Sequence, residues 1–348
     1  MLFRFFTSIP PQPSLFSYQT RRIIWSRCTF LKMGLENYDP LIQKTNKNAT
    51  FRLCNVAGYK TDLLEMHAKD PKFHVVFIPG NPGVISFYTD FLESLYELLG
   101  GSASITAIGN IGQTEKDWDK GKLFSLQDQI DHKVNFIEHE IEDVASPILL
   151  VGHSIGAHIA MEIYRRFQDK VIYCIALYPF LAMNRESSAQ MVISRISGST
   201  ILCYLVSSIV GLLGNLPTRA SRFLVRKTIG SSWSSTAVEA LCSHLFQYHT
   251  MRNVLFMVQT EFKELSGTPD WRFMRERKNQ IAFLFGNDDH WGPLHMYEEV
   301  SKQIPDAVIA LEGEGHTHAF SCTEAGSSWV ARHVANLIKK TCRITTHE

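Results

Sequence analysis

The chain has no C-x-x-C pair, no Walker-type loop and no arginine-rich tract in its body. These absences point away from a zinc module, a P-loop nucleotidase and a nucleic-acid binder. Formal net charge is +1, so no global field draws in a polyanion. The seven cysteines are scattered and odd in number, which argues against a disulfide framework and for a reducing compartment. Two further absences are local. Met1–Leu35 holds no Asp or Glu, while Arg4, Arg21, Arg22, Arg27 and Lys32 supply positive charge; and no charged residue lies between Arg195 and Arg219.

What is present is globular. Hydrophobic residues make up 45% and charged residues 20% of 348 positions, enough to bury a substantial core. Residues 1–48 read as a basic, acid-poor extension, either disordered or a targeting segment of the organelle-import kind. A working start near Met33 is the plain alternative. Met33-Gly34 offers no myristoylation site, because Tyr38 stands where Ser or Thr is needed.

From residue 49 to about 342 the pattern is that of one α/β domain. Phe51–Val56 and Asp62–His67 flank a turn at 57–60 and predict a hairpin. Phe73–Ile78, Ile148–Val151, Val171–Leu177 and Ile281–Phe285 are continuous apolar runs, as strands buried on both faces require. Ser104–Ile108 and Ala307–Leu311 predict two more. Between them lie helical spacings over 87–99, 155–167 and 327–339, and a capping-box-like Ser125-Leu126-Gln127-Asp128 opening a helix to about Val144. This alternation predicts a mostly parallel sheet flanked by helices. A strand-free insert over about 180–275 interrupts it and predicts a helical cap.

Gly152-His153-Ser154-Ile155-Gly156 is the most informative stretch. It is a G-x-S-x-G pattern between a buried strand and a helix, the setting of a nucleophile elbow. A serine on so tight a turn adopts strained backbone angles, and the two glycines remove Cβ atoms that would collide across it. The helix from Ile155 points free N–H groups at a developing oxyanion. In this fold the chain order is oxyanion loop, nucleophile, acid, histidine. Upstream, Pro79-Gly80-Asn81-Pro82-Gly83 follows a buried strand; Pro82 has no N–H, so Asn81 is the second backbone donor. Downstream, Asp288 and Asp289 both stand just past a strand end, and His316 and His318 both stand before the last helix. The residue pattern leaves each pair open. His132, His153 and His158 are assigned to packing or hydrogen bonding.

Together these segments resemble the lipid-droplet-associated hydrolase family, a branch of the α/β-hydrolase fold. The resemblance rests on Ile78-Pro79-Gly80-Asn81-Pro82-Gly83, Gln129-Ile130-Asp131-His132-Lys133, Gly152-His153-Ser154-Ile155-Gly156, Asp289-His290-Trp291 and His318-Ala319-Phe320, and covers roughly residues 50–340. It implies Asp289 over Asp288 and His318 over His316. It further implies a serine lipid hydrolase acting on lipid esters such as sterol esters; the Ser154–His318–Asp289 triad this gives needs no metal or cofactor. The implied location is the lipid droplet and the cytosolic side of the endoplasmic reticulum. The basic extension departs from the family pattern and keeps organelle import as an alternative. A droplet coat or tether without turnover, and an acyltransferase using the same triad, are the rival functions.

The uncharged stretch at about 196–218 has a core, Ile201–Leu213, of about 20 Å as a helix, short against a bilayer core of about 30 Å. A single crossing would also put Ser154 on one side and Asp289 and His318 on the other. The segment is therefore expected to enter and leave one monolayer, with Arg219, Arg222, Arg226 and Lys227 near head groups, or else to pack as a cap helix on its own domain.

Overall fold

The computed structural model describes residues 43–45, 48–141, 146–228 and 232–345. The extension predicted over 1–48 lies almost wholly outside the described residues. Among those described, nine strands form one sheet: β1 (Gln43–Thr45), β2 (Thr50–Val56), β3 (Tyr59–Met66), β4 (Phe73–Ile78), β5 (Ala103–Ile108), β6 (Ile148–His153), β7 (Val171–Leu177), β8 (Ile281–Phe285) and β9 (Val308–Leu311). Their order is β1-β2-β3-β5-β4-β6-β7-β8-β9. The hairpin β2–β3 joins β1 and β5 through antiparallel pairs, and every pair from β5 through β9 is parallel. This is the α/β-hydrolase fold.

The helices are α1 (Thr89–Leu99), α2 (Leu126–Phe136), α3 (Ile155–Arg166), α4 (Ser188–Ser197), α5 (Thr200–Gly214), α6 (Thr218–Thr228), α7 (Ser235–Ala240), α8 (Tyr248–Glu264), α9 (Trp271–Glu276), α10 (Leu294–Gln303) and α11 (Glu324–Thr345). Period-two alternation explains why the central strands are apolar throughout. In β4, Phe73, Val75 and Phe77 pack toward α1 and α11, with Phe91, Leu95, Val334 and Ile338. Val76 and Ile78 face the opposite way, toward α2, α3 and α10, with Ile130, Ile159 and Val300. Each central strand thus divides its side chains between two cores, and neither face meets water.

The helix opened by Ser125 is capped as expected: Ser125 accepts from Asp128 N–H while the Asp128 carboxylate accepts from Ser125 N–H. It departs from the expected length. Regular α-helix ends at Phe136 and a π turn, Ile137–Ile141, follows, keeping Ile137 and Ile141 in the core. The insert is helical, running from α4 to α9. The uncharged stretch is not one continuous helix: α4 ends at Ser197 before Gly198 and α5 ends at Gly214, although α5 continues through Gly211. A Cβ there would sit 3.1 Å from Tyr248 Cβ, so the glycine lets α5 approach the start of α8. Among the described residues no single helix is long and apolar enough to cross a membrane; α4 and α5 meet at a bend of 97°.

The chain passes from β4 out to β5 and returns to β6 on the other side of β4. The carboxyl ends of β4 and β6 therefore flank a switch in winding direction, where open α/β sheets form a crevice. The loops after β4, β6, β8 and β9 all end there.

Candidate active site

Ser154 follows β6 and precedes α3, with φ 57° and ψ −125°. A non-glycine residue at positive φ costs free energy, so the surroundings must hold it. They do: Ser154 N–H donates to Leu177 O at 2.9 Å, and Ser154 O accepts from Phe180 N–H at 3.2 Å. A Cβ on Gly152 would strike Gly156 O, and one on Gly156 would strike the carbonyls of Ile78 and Pro79. Both glycines are demanded by the close approach of α3 to the strand ends.

His318, on the loop between β9 and α11, hydrogen-bonds through Nδ1 to Asp289 Oδ2 at 2.7 Å. Asp289 Oδ1 accepts from Trp291 N–H at 2.9 Å, and the residue is 4% exposed. Burial alone would raise this carboxyl, but the adjacent His318 ring and these hydrogen bonds hold it below the usual range. The neighbouring candidates are elsewhere. Asp288 is exposed, and His316 packs on the Trp329 ring with Nε2 4.0 Å from Glu314.

Ser154, His318 and Asn81 line one cavity. Asp289 lies behind His318, and Ile155 is the buried first residue of α3. All five residues singled out in the sequence thus meet at the carboxyl ends of the sheet. Apolar walls come from Phe87, Phe180 and Trp291, and from Trp233, Leu241, Leu245 and Val258 of the insert. Among the described residues, lysine and arginine do not contribute to the lining.

His153 is the hydrogen-bonding residue it was expected to be. Its Nε2–H donates to His318 O at 3.0 Å, so Nδ1 accepts from Tyr88 O–H at 2.8 Å. Burial first, and the neighbouring His318 second, keep its ring neutral. Tyr88 Oη in turn accepts from Gly80 N–H at 3.2 Å. This chain ties the loop after β4 to the loop carrying His318.

Three groups escaped the sequence reading. Glu312 is fully buried and accepts the N–H groups of Glu314, Gly315 and His316 at 2.7, 3.0 and 2.9 Å, fixing the approach to His318. Lys133, buried and with its amine pulled down by desolvation, donates to Gly109 O, Asn110 Oδ1 and Gln129 Oε1. Asn110 Nδ2 passes the connection on to Gly80 O at 3.1 Å. Glu261 of α8 lines the cavity and accepts from Asn81 Nδ2 at 2.9 Å. A Gly-flanked acid after the last strand was the one visible signal for Glu312; Lys133 stood in a quoted motif without an assigned role, and Glu261 gave none.

Residues 71–321 match the family model described as lipid-droplet associated hydrolase. The chain belongs to this family. Family members named lipid droplet-associated hydrolase from Gallus gallus and Dictyostelium discoideum are each 27% identical over 282 residues. The first alignment covers 74% of this chain and 83% of the relative, the second 75% and 86%. Among solved structures, a haloalkane dehalogenase from Bradyrhizobium elkani superposes with a TM-score of 0.65 at 15% identity, over 85% of this chain and 99% of that one. An epoxide hydrolase from Vigna radiata gives 0.60 at 14%, over 84% and 99%. At such identities these two structures speak for the α/β-hydrolase fold alone.

Proposed function

We propose that this member of the lipid-droplet-associated hydrolase family is a serine ester hydrolase acting on lipid esters, sterol esters among them, at the droplet surface. The observation that supports it most is Ser154 and His318 on one cavity, with Asp289 hydrogen-bonded to the far nitrogen of the imidazole. In this reading His318 Nε2 takes the Ser154 proton as Oγ attacks the ester carbonyl. Asp289 holds the tautomer and steadies the imidazolium. The backbone N–H groups of Asn81 and Ile155 receive the oxyanion. The alcohol leaves with the proton from His318, and a water activated by the same imidazole releases the acid. Serine at the elbow argues against the carboxylate-based chemistries of dehalogenases and epoxide hydrolases.

Helix α5 supports docking to a lipid surface. Cys203, Val206 and Val210 are buried, and the helix packs against α8. Its other face presents Ile201, Leu205, Ile209 and Leu212, of which Ile201 is 78% and Leu212 67% exposed. On α6, Phe223 is exposed as well, beside exposed Arg219, Arg222, Arg226 and Lys227. So wide an apolar face rimmed by cations suits a droplet monolayer or the cytosolic leaflet of the endoplasmic reticulum, entered and left on one side. Both earlier expectations then apply to one helix, a cap face inward and a lipid face outward.

A panel of esters in emulsion, run with wild type and Ser154→Ala, tests the proposal. Hydrolysis by the wild type that is lost in the variant is the expected result. Droplet binding by both proteins with no hydrolysis by either would favour the coat or tether, and product appearing only with an added alcohol would favour acyl transfer.

A further inference from the structure

The cavity contains one carboxyl group that the proposed triad leaves unused. Glu261 lies on α8, the cap helix, is 2% exposed, and lines the same cavity as Ser154 and His318. Its Oε1 accepts from Asn81 Nδ2, and among the described residues Oε2 has no hydrogen-bond partner. Asn81 is held tightly around this contact. Its Nδ2 also donates to Val254 O at 3.1 Å, and its Oδ1 accepts from Gln113 Nε2 at 3.2 Å. The residue whose backbone N–H faces the expected oxyanion is therefore joined through its side chain to Glu261.

Resting on the reading of Ser154 as nucleophile, we propose that Glu261 is a catalytic residue of this site. Its carboxyl O–H donates from Oε2 to the carbonyl oxygen of an uncharged lipid ester as that oxygen gains negative charge, alongside the amides of Asn81 and Ile155. The proton stays on Glu261 throughout, so the group acts as a dipole and not as an acid.

The surroundings favour the neutral acid. Burial raises the Glu261 carboxyl to about 8, and the hydrogen bond from Asn81 lowers it by less. From the loop after β4 it meets the neutral amide of Asn81, which the amide of Gln113, on the loop after β5, holds in turn. Tyr88, His153, His318 and Cys322 line the same cavity, with Asp289 behind His318, and none of the described residues places a cation against Glu261. A carboxylic acid kept neutral by an apolar site is a strong donor to an oxyanion. Once ionised it loses that proton and repels the same oxyanion. A lining without lysine or arginine likewise suits an uncharged ester over an anionic one.

The experiment is a pH profile of kcat/KM on 4-nitrophenyl butyrate between pH 6 and 9.5, with wild type, Glu261→Gln and Glu261→Met. Ser154 is labelled with a fluorophosphonate in parallel. Wild-type kcat/KM should fall about tenfold from pH 7 to 9, as a single ionisation near pH 8 requires. Glu261→Gln keeps a donor that does not ionise, so it should lose that decline while staying within about threefold of wild type at pH 7. Glu261→Met should fall about 100-fold below wild type at pH 7, the scale of one oxyanion donor, and lack the alkaline decline, so that the gap narrows to about tenfold at pH 9; its melting temperature confirms that it folds. If all three are labelled but Glu261→Gln keeps the alkaline decline, or Glu261→Met matches wild type, the role of Glu261 is overturned and Ser154 stands. If folded wild type is not labelled, the Ser154 reading fails and this inference with it.

Discussion

The sheet ends and the cap insert solve opposite problems with similar residues. At the sheet ends, apolar strands are enclosed on both sides, and three polar residues of the site are each held by partners: Ser154 through backbone contacts, His318 by Asp289, His153 by Tyr88. In the insert, α5 is just as apolar but half of it stays exposed. Enclosure makes the first region rigid and chemically exact in its placement. Partial exposure leaves the second ready to bury more surface against something outside the chain. Position relative to the sheet, more than composition, separates the floor proposed for catalysis from the roof proposed to face lipid.

The comparison breaks hardest at the floor. Ser154→Ala should reduce ester hydrolysis by at least about 1,000-fold and His318→Ala by a similar factor, with little change in melting temperature. Asp289→Asn should cost about 1,000-fold or more by leaving the imidazole in the wrong tautomer, and Asp288→Asn should be silent; initial rates on a soluble ester separate the two. The Asp289 carboxyl is held below its unfolded value, so its contribution to stability is present above the usual carboxylate range and is lost as pH falls through the lowered value. Acid unfolding followed by circular dichroism should therefore begin at a different pH in Asp289→Asn.

The floor was also the legible part. β4, β7 and β8 fall where their apolar runs place them, because a strand buried on both faces leaves an uninterrupted signal of its length. The elbow was legible for a steric reason: Gly152 and Gly156 stand where no Cβ fits. The sequence did not distinguish Asp289 from Asp288 or His318 from His316, since one or two positions of loop decide which side chain turns inward. Only the family resemblance chose between them. Glu312, Lys133 and Glu261 were missed because their partners lie on other elements, and a buried polar network leaves no periodicity. The insert was recognised as helical, but which face of α5 looks outward depends on packing against α8.

Smaller effects sharpen the same contrast. Glu312→Gln weakens the support for three N–H groups and should lower stability by about 1–3 kcal/mol in urea titration, with a partial loss of kcat through His318. In Glu261 the sign is reversed from Asp289. Its raised carboxyl contributes stability that is full below the ordinary glutamate range and drains as pH rises toward about 8. Glu261→Gln should thus hold a flatter melting temperature between pH 5 and 8.5. At the roof, Ile201→Asp with Leu212→Asp should reduce co-sedimentation with emulsion droplets by about tenfold or more, given the apolar area removed. Both positions are solvent-facing, so the melting temperature should move by no more than a few degrees.

The most direct test of the central claim is a crystal structure of the full chain after reaction with a fluorophosphonate. The expected result is phosphorus bonded to Ser154 Oγ, with its free oxygen about 3 Å from the amide nitrogens of Asn81 and Ile155, and His318 Nε2 beside the adduct. A folded protein bearing no adduct on Ser154, or an adduct whose oxygen points away from both amides, would contradict it.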